Sequence, residues 1–130
     1  MWFGFPNQRR GDGEKKNEFV SHLLDLMQVL GPVEARRMFG GYGIFLQGLM
    51  FALVDGQDLY LKVDDQTRAD YEAQGLEPFR YFRAGKPCAL NYYQAPESVI
   101  EEQALMRLWG SRAFDVALKA AALKQQSRTV

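Results

Sequence analysis

Residues 36–45 read RRMFGGYGIF, placing two arginines, three glycines and three aromatic rings within ten positions. Such a run is either a glycine-rich loop that cradles a phosphate or a strand forced to turn. A phosphate loop feeds its glycines straight into a helix whose amides face the anion, and a Walker loop ends in Gly-Lys-Ser/Thr. Neither follows here. The chain continues as LQGLMFALVDGQDLYLKV, whose apolar stretches are broken by Gln-Gly and Asp-Gly, so the glycines pass from strand into strand. Glycines in that setting mark a bulge, a sharp bend or close packing of another backbone, and Gly40, Gly41 and Gly43 are assigned to a structural bend. A small anion nest formed by backbone amides beside Arg36 and Arg37 stays open as an alternative.

Working outward, the pattern predicts extended segments at 33–39, 42–46, 49–54 and 59–63, with tight turns at 47–48 and 55–56. Tight turns join antiparallel neighbours, so these segments form a meander of three or four strands. The parts on either side of Gly40-Gly41 are expected to be one bent strand. Before the meander, Phe19, Val20, Leu23, Leu24, Leu26, Met27 and Leu30 recur at helical spacing, with Asn17 as N-cap and Gly31-Pro32 as the stop.

After the meander, Asp64 and Asp65 precede a short polar helix, TRADYEAQ, that ends at Gly75. Carboxylates there cap free amides and suit the positive end of the helix dipole; adjacent strand-end residues diverge, which disfavours a divalent-ion pair. Strands are then predicted at 79–83 and 88–94 around a turn at 84–87. A helix follows Ala95, entered either at Pro96 or two residues later at Ser98, which has capping-box spacing with Glu101, and it is expected to stop near Gly110 and restart at Ser111. The predicted order is α-β-β-β-α-β-β-α(α). Runs of strands rather than single strands alternating with helices indicate an α+β fold, an antiparallel sheet meander packed by helices.

The 130 residues suit one domain, with an apolar fraction of 47%, enough for a continuous core without metal or disulfide. Residues 1–16 read as a flexible N-terminal extension, 17–126 as the domain and 127–130 as a frayed tail. Sixteen basic residues balance sixteen acidic ones, a poor basis for independent DNA binding, whose affinity scales with the phosphates neutralised. Cys88 is the only cysteine, which excludes an intramolecular disulfide and every multi-cysteine zinc site. With no apolar run of membrane-spanning length and no continuous apolar signal core, the expected location is the cytoplasm.

No catalytic group, metal site or cofactor is predicted. His22 is the single histidine, and no serine lies on a nucleophile-elbow pattern such as G-x-S-x-G. Cys88 with His22 is the only thiol option, and Cys88 sits in an apolar, aromatic strand where a small buried hydrophobe is the ordinary explanation. Binding remains. Arginine, lysine and aromatic side chains on the strands are the types enriched where proteins meet, and Arg36, Arg37, Lys62 and Arg83 are the candidate partner-binding residues, expected to converge on an acidic partner. The competing readings are a nucleic-acid binder using the same cations and a small-ligand module with a pocket between sheet and helices.

The stretch RRMFGGYGIF, the hairpin MFALVDGQDLYLKVDD and the segment EPFRYFRAGKPCALNYYQAPES, in that order, resemble the N-terminal domain of the TfoX/Sxy family of bacterial competence regulators. The resemblance extends from about Asn17 to about Ala122. It implies an α+β sandwich shared with secretion-chaperone-like folds and no enzymatic activity. It also implies a regulatory role in DNA uptake alongside a protein partner, a cyclic-AMP receptor type activator or RNA polymerase. Full regulators of the family carry a second, helical domain after this one.

Overall fold

The computed structural model describes residues 9–38, 40–83 and 85–129, and the side chains of these except residues 9–17, 82–83, 86–89 and 127–129. Helix α1 (Arg9–Leu26) runs into a 3-10 turn (Met27–Val29). Strands β1 (Glu34–Met38), β2 (Gly41–Leu46), β3 (Leu49–Asp55) and β4 (Asp58–Lys62) follow. After them come helix α2 (Asp65–Glu72), strands β5 (Pro78–Arg83) and β6 (Lys86–Gln94), a 3-10 turn (Glu97–Ile100) and helix α3 (Gln103–Thr129). The strands form one antiparallel sheet in the order β1-β2-β3-β4-β6-β5, an α+β architecture. No helix among the described residues is long and apolar enough to cross a membrane.

Turn chemistry sets the meander. Gln47 and Gly48 both have positive φ (54° and 80°), as a type I′ turn requires, and they close the β2–β3 hairpin at Leu46↔Leu49. The turn expected at 55–56 lies one residue later: Asp55 is paired with Asp58, and Gly56 (φ 63°) and Gln57 join them. The expectation of one bent strand around Gly40-Gly41 is corrected: β1 and β2 are separate strands, paired from Glu34↔Phe45 to Met38↔Gly41. Gly40 adopts φ 78° beside open space. At Gly41 a β-carbon would lie 1.9 Å from the Val54 carbonyl oxygen, so the chain reverses where a neighbouring backbone leaves no room for a side chain.

The core lies between one sheet face and the helices. Ile44, Leu46, Ala52, Val54, Leu59 and Leu61 meet Leu23 and Met27 from the N-terminal helical segment and Met106, Ala113 and Ala117 from α3. A register shift pairs Ile44 with Ala52 and Phe45 with Met50, leaving Phe51 as the extra residue. Phe51 and Ala52 therefore both belong to this core, and Phe51 meets Phe114 of α3 edge to face at 5.9 Å. Tyr71 of α2 is 1% exposed and meets Trp109 of α3 at 4.9 Å, which holds the short helix against the long one.

Three helix boundaries differ from expectation. Helix α1 begins at Arg9, before the Asn17 cap; Glu14, Lys15 and Lys16 favour continuing the helix through Asn17, while Gly11, Asp12 and Gly13 are poor helix formers, so local propensity does not explain its first turn. Residues 1–8 lie outside the described ones. The helix expected after Pro96 is a 3-10 turn without a side-chain cap, and α3 starts at Gln103. The Ile100 carbonyl, which a continuous α-helix would direct to the Ala104 amide, accepts from His22 Nε2 at 2.7 Å. Finally, α3 runs unbroken through Gly110-Ser111. Gly110 is not among the positive-φ glycines, and a β-carbon there would come within 2.8 Å of Leu30 Cδ1. That glycine admits the segment after α1 rather than ending α3.

Asp64 caps α2 as expected. Its carboxylate accepts from the Thr67 amide at 2.8 Å and the Gln66 amide at 3.0 Å, while the Asp64 amide donates to Thr67 Oγ1 at 3.0 Å. The amide and hydroxyl donors around it, the Thr67 amide first, hold the Asp64 carboxyl below its ordinary range. Asp64→Ala is expected to cost about 1 kcal/mol in urea unfolding at neutral pH. Because the folded-state pKa is depressed, this contribution is fully present above an unfolded value of about 3.9 and is lost as pH falls through the lower folded value. The wild-type and mutant stabilities should therefore converge in acid, and a constant difference down to that range would contradict the cap. Gly41→Ala should cost at least about 3 kcal/mol by forcing backbone apart, against about 1–2 kcal/mol for Gly40→Ala, where only φ is strained. Equal costs would contradict the close approach at Gly41.

Candidate functional site

Strand alternation divides the sheet residues into two sets. The first is the core just described. The second comprises Leu53, Phe79 and Tyr92, all buried, with Met50, Tyr60, Tyr81 and Leu90 packed around them, and no helix residue contributes to this cluster among the described residues. Tyr60 meets Phe79 edge to face at 5.1 Å, and Phe79 stacks on Tyr81 at 6.4 Å. Among the described residues, the cluster on this face is built from sheet side chains.

A stripe of cations, rings and thioethers crosses it. Arg36 lies opposite Gly43 in the β1–β2 register, and its Cζ stands 4.5 Å from the centre of the Phe45 ring while Nε pairs with Glu34 Oε1 at 3.3 Å. A β-carbon at Gly43 would lie 2.4 Å from Met38 Sδ, 2.6 Å from Met50 Sδ and 3.2 Å from Phe45 Cε1, so these three side chains close over the missing one. At the other end, Lys62 Nζ stands 5.0 Å from the Tyr92 ring centre, and the Tyr92 hydroxyl donates to the Met50 carbonyl at 3.4 Å.

Electrostatics differ along the stripe. Arg36 is an exposed cation whose pair with Glu34 is of the kind worth little in water. Lys62 is half-buried, and burial, then the neighbouring Lys124, push its ammonium below the ordinary lysine range. Burial pushes the Tyr92 phenol up to about 12, keeping it a neutral donor. Guanidinium and ammonium groups held over rings beside polarizable methionines make an adaptable recognition surface, with charge for specificity and thioethers that re-pack against different partners. Among the described residues, no group of three or more His, Cys, Asp or Glu side chains is placed to hold a metal ion.

The four cations expected to converge are separated by the strand order. Arg36 lies on the face away from the helices, and Lys62 points to the same side at the end of β4, where Lys124 of α3 is its neighbour. Arg37, the next residue along β1, points to the other side, where its Cζ stands 5.9 Å from the ring of Tyr42, a residue packed against the main core. Arg83 ends β5, the opposite edge strand from β1, five inter-strand steps of about 4.8 Å away along the sheet. Its side chain and that of Cys88 lie outside the described residues. His22 is tied to the Ile100 carbonyl, linking α1 to the turn before α3. Sequence reasoning missed Met38, Phe45 and Met50. The available signal was that β2 and β3 are apolar at positions of both parities, which one covered face does not require.

The chain matches the TfoX N-terminal domain family over residues 25–117, most of its length. It belongs to that family. It is similar to Protein Sxy of Escherichia coli, with 28% identity over 95 residues covering 73% of this chain and 46% of the relative. It is also similar to the DNA transformation protein TfoX1 of Aliivibrio fischeri (32% over 82 residues, 60% and 39% covered) and to the DNA transformation protein TfoX of Haemophilus influenzae (28% over 95 residues, 71% and 44% covered). The chain spans less than half the length of these relatives.

Gly43→Ala probes the stripe directly. The atoms it displaces are ends of flexible side chains, so the stability cost should stay within about 1–3 kcal/mol while the methyl resonances of Met38 and Met50 both move. Unshifted methionine methyls would show that the two thioethers do not share the space above Gly43.

Proposed function

We propose that this chain is a non-enzymatic regulatory domain of DNA uptake competence that works in the cytoplasm by binding a transcription component, a cyclic-AMP receptor type activator or RNA polymerase. The observation that carries the reading is the sheet face to whose Leu53–Phe79–Tyr92 cluster no described helix residue contributes, with Arg36 above Phe45 beside Met38 and Met50, and Lys62 above Tyr92 at its rim, where α3 reaches it. A catalytic reading would need a nucleophile and base within reach; the one histidine bonds to a backbone carbonyl. The curated relatives carry the names of Sxy and DNA transformation proteins, which supports a competence-related role. Zero net charge favours a protein partner over independent hold on DNA.

The two arginines of β1 provide the test, since they share a sequence neighbourhood and occupy opposite faces. Binding of the purified chain to the activator and to RNA polymerase is measured with nuclease present to remove bridging DNA. Arg36→Ala should weaken association about tenfold, or ~1.4 kcal/mol, while Arg37→Ala leaves it near wild type. Equal effects of both substitutions would remove the sheet face from the interaction. Absence of wild-type binding to either component would overturn the proposed partner.

A further inference from the structure

The C-terminal half of α3 passes the ends of β3 and β4 without filling the space between them. A cavity of about 280 Å³ remains there, walled by Leu49 and Met50 on the sheet and by the small side chains of Ala117, Ala120 and Ala121 on the helix. Lys62 and Lys124 also line it. A second hollow of about 350 Å³ shares Lys62 and Ala120 and extends the groove along α3 to Leu123, which is 65% exposed. The groove is thus apolar along its floor and open at its rim.

Its charge is one-sided where the two lysines meet. Asp64, at the far end, has its carboxylate taken by the Gln66 and Thr67 amides and is the acidic neighbour of Lys119; Asp65 pairs with Arg68. No carboxylate pairs with Lys62 or Lys124 among the described residues, and these two cations act on each other. Like charges beside an apolar floor are destabilising by themselves and become favourable when an anion enters between them.

We propose that this groove seats an acidic amphipathic segment of a partner protein, with an apolar side chain on the alanine floor and a carboxylate between Lys62 and Lys124. The proposal rests on the reading of the domain as a protein-interaction module and names the chemistry of the partner at the Lys62 end of the same surface. A protein segment fits better than nucleic acid because the floor is aliphatic, with no ring on which a base would stack. The alanines let a backbone approach closely, and the exposed Leu123 supplies apolar surface at the rim.

The test uses two short fluorescein-labelled synthetic helices with the same leucine face, one bearing glutamates and the other lysines on its polar face, titrated with the full chain and followed by anisotropy. The glutamate helix should bind at least tenfold more tightly than the lysine helix. Lys124→Glu and Ala120→Glu, both at exposed helix positions, should each weaken it about tenfold. Lys62→Met, which keeps length and apolar character on β4, should do the same, with thermal unfolding confirming that each variant folds. Equal binding of the two helices, no binding of the glutamate helix, or indifference to Lys124→Glu and Lys62→Met would overturn the groove. The interaction reading fails separately. If a transcription component is bound equally by wild type and Lys124→Glu, the groove is wrong and the reading stands; if the glutamate helix binds and no transcription component does, the groove stands and the reading falls.

Discussion

The packing of α3 across the centre of the sheet, anchored by Phe51 against Phe114, is the contact on which the remaining structure depends. It requires β3 to present two consecutive residues to one side, which an unbroken strand does not do. The extra residue in the β2–β3 ladder meets that requirement, and Phe51 and Ala52 enter the same core while Met50 and Leu53 go to the other face. Helix α2 then attaches to α3 through Tyr71 and Trp109, and the segment after α1 attaches through Leu30 against Gly110. Both attachments presuppose that α3 is continuous.

With the helices packed on one face, the described residues of the opposite face are closed mainly by sheet side chains, and α3 reaches round only to Met50 and Lys62 at the strand ends. Among the described residues, Leu53, Phe79 and Tyr92 are buried there by sheet side chains, with rings from β4, β5 and β6 packed around them. Toward β1 the solution differs: a glycine in β2 lets two methionines and a phenylalanine settle over it. The consequence is a gradient on one surface, from a rigid aromatic region to a region of flexible thioethers flanked by cations. Recognition is best served by the second kind of surface, since methionine re-packs at small cost.

Local chemistry made much of this legible. The Gln47-Gly48 pair, the Asp64 cap and the glycine at position 75 each act within a few residues, so their signals are complete in the sequence, whereas the second hairpin turn, expected at 55–56, falls at 56–57. The candidate site was half legible. Arg36 and Lys62 carry recognisable chemistry, whereas Met38, Phe45 and Met50 look like core residues until the face they occupy is known.

What the sequence by itself determined is therefore the order of elements, the turns that make the sheet antiparallel, the α+β class and the family resemblance carried by three ordered motifs. Tertiary structure alone decided three things: that β1 and β2 are separate paired strands, that Gly110 serves packing rather than termination, and that Arg83 lies at the edge of the sheet farthest from Arg36. The physical reason is range. Turn and cap preferences are set by a residue and its immediate neighbours, but the meaning of a glycine or a cation depends on which backbone or ring arrives from elsewhere in the chain.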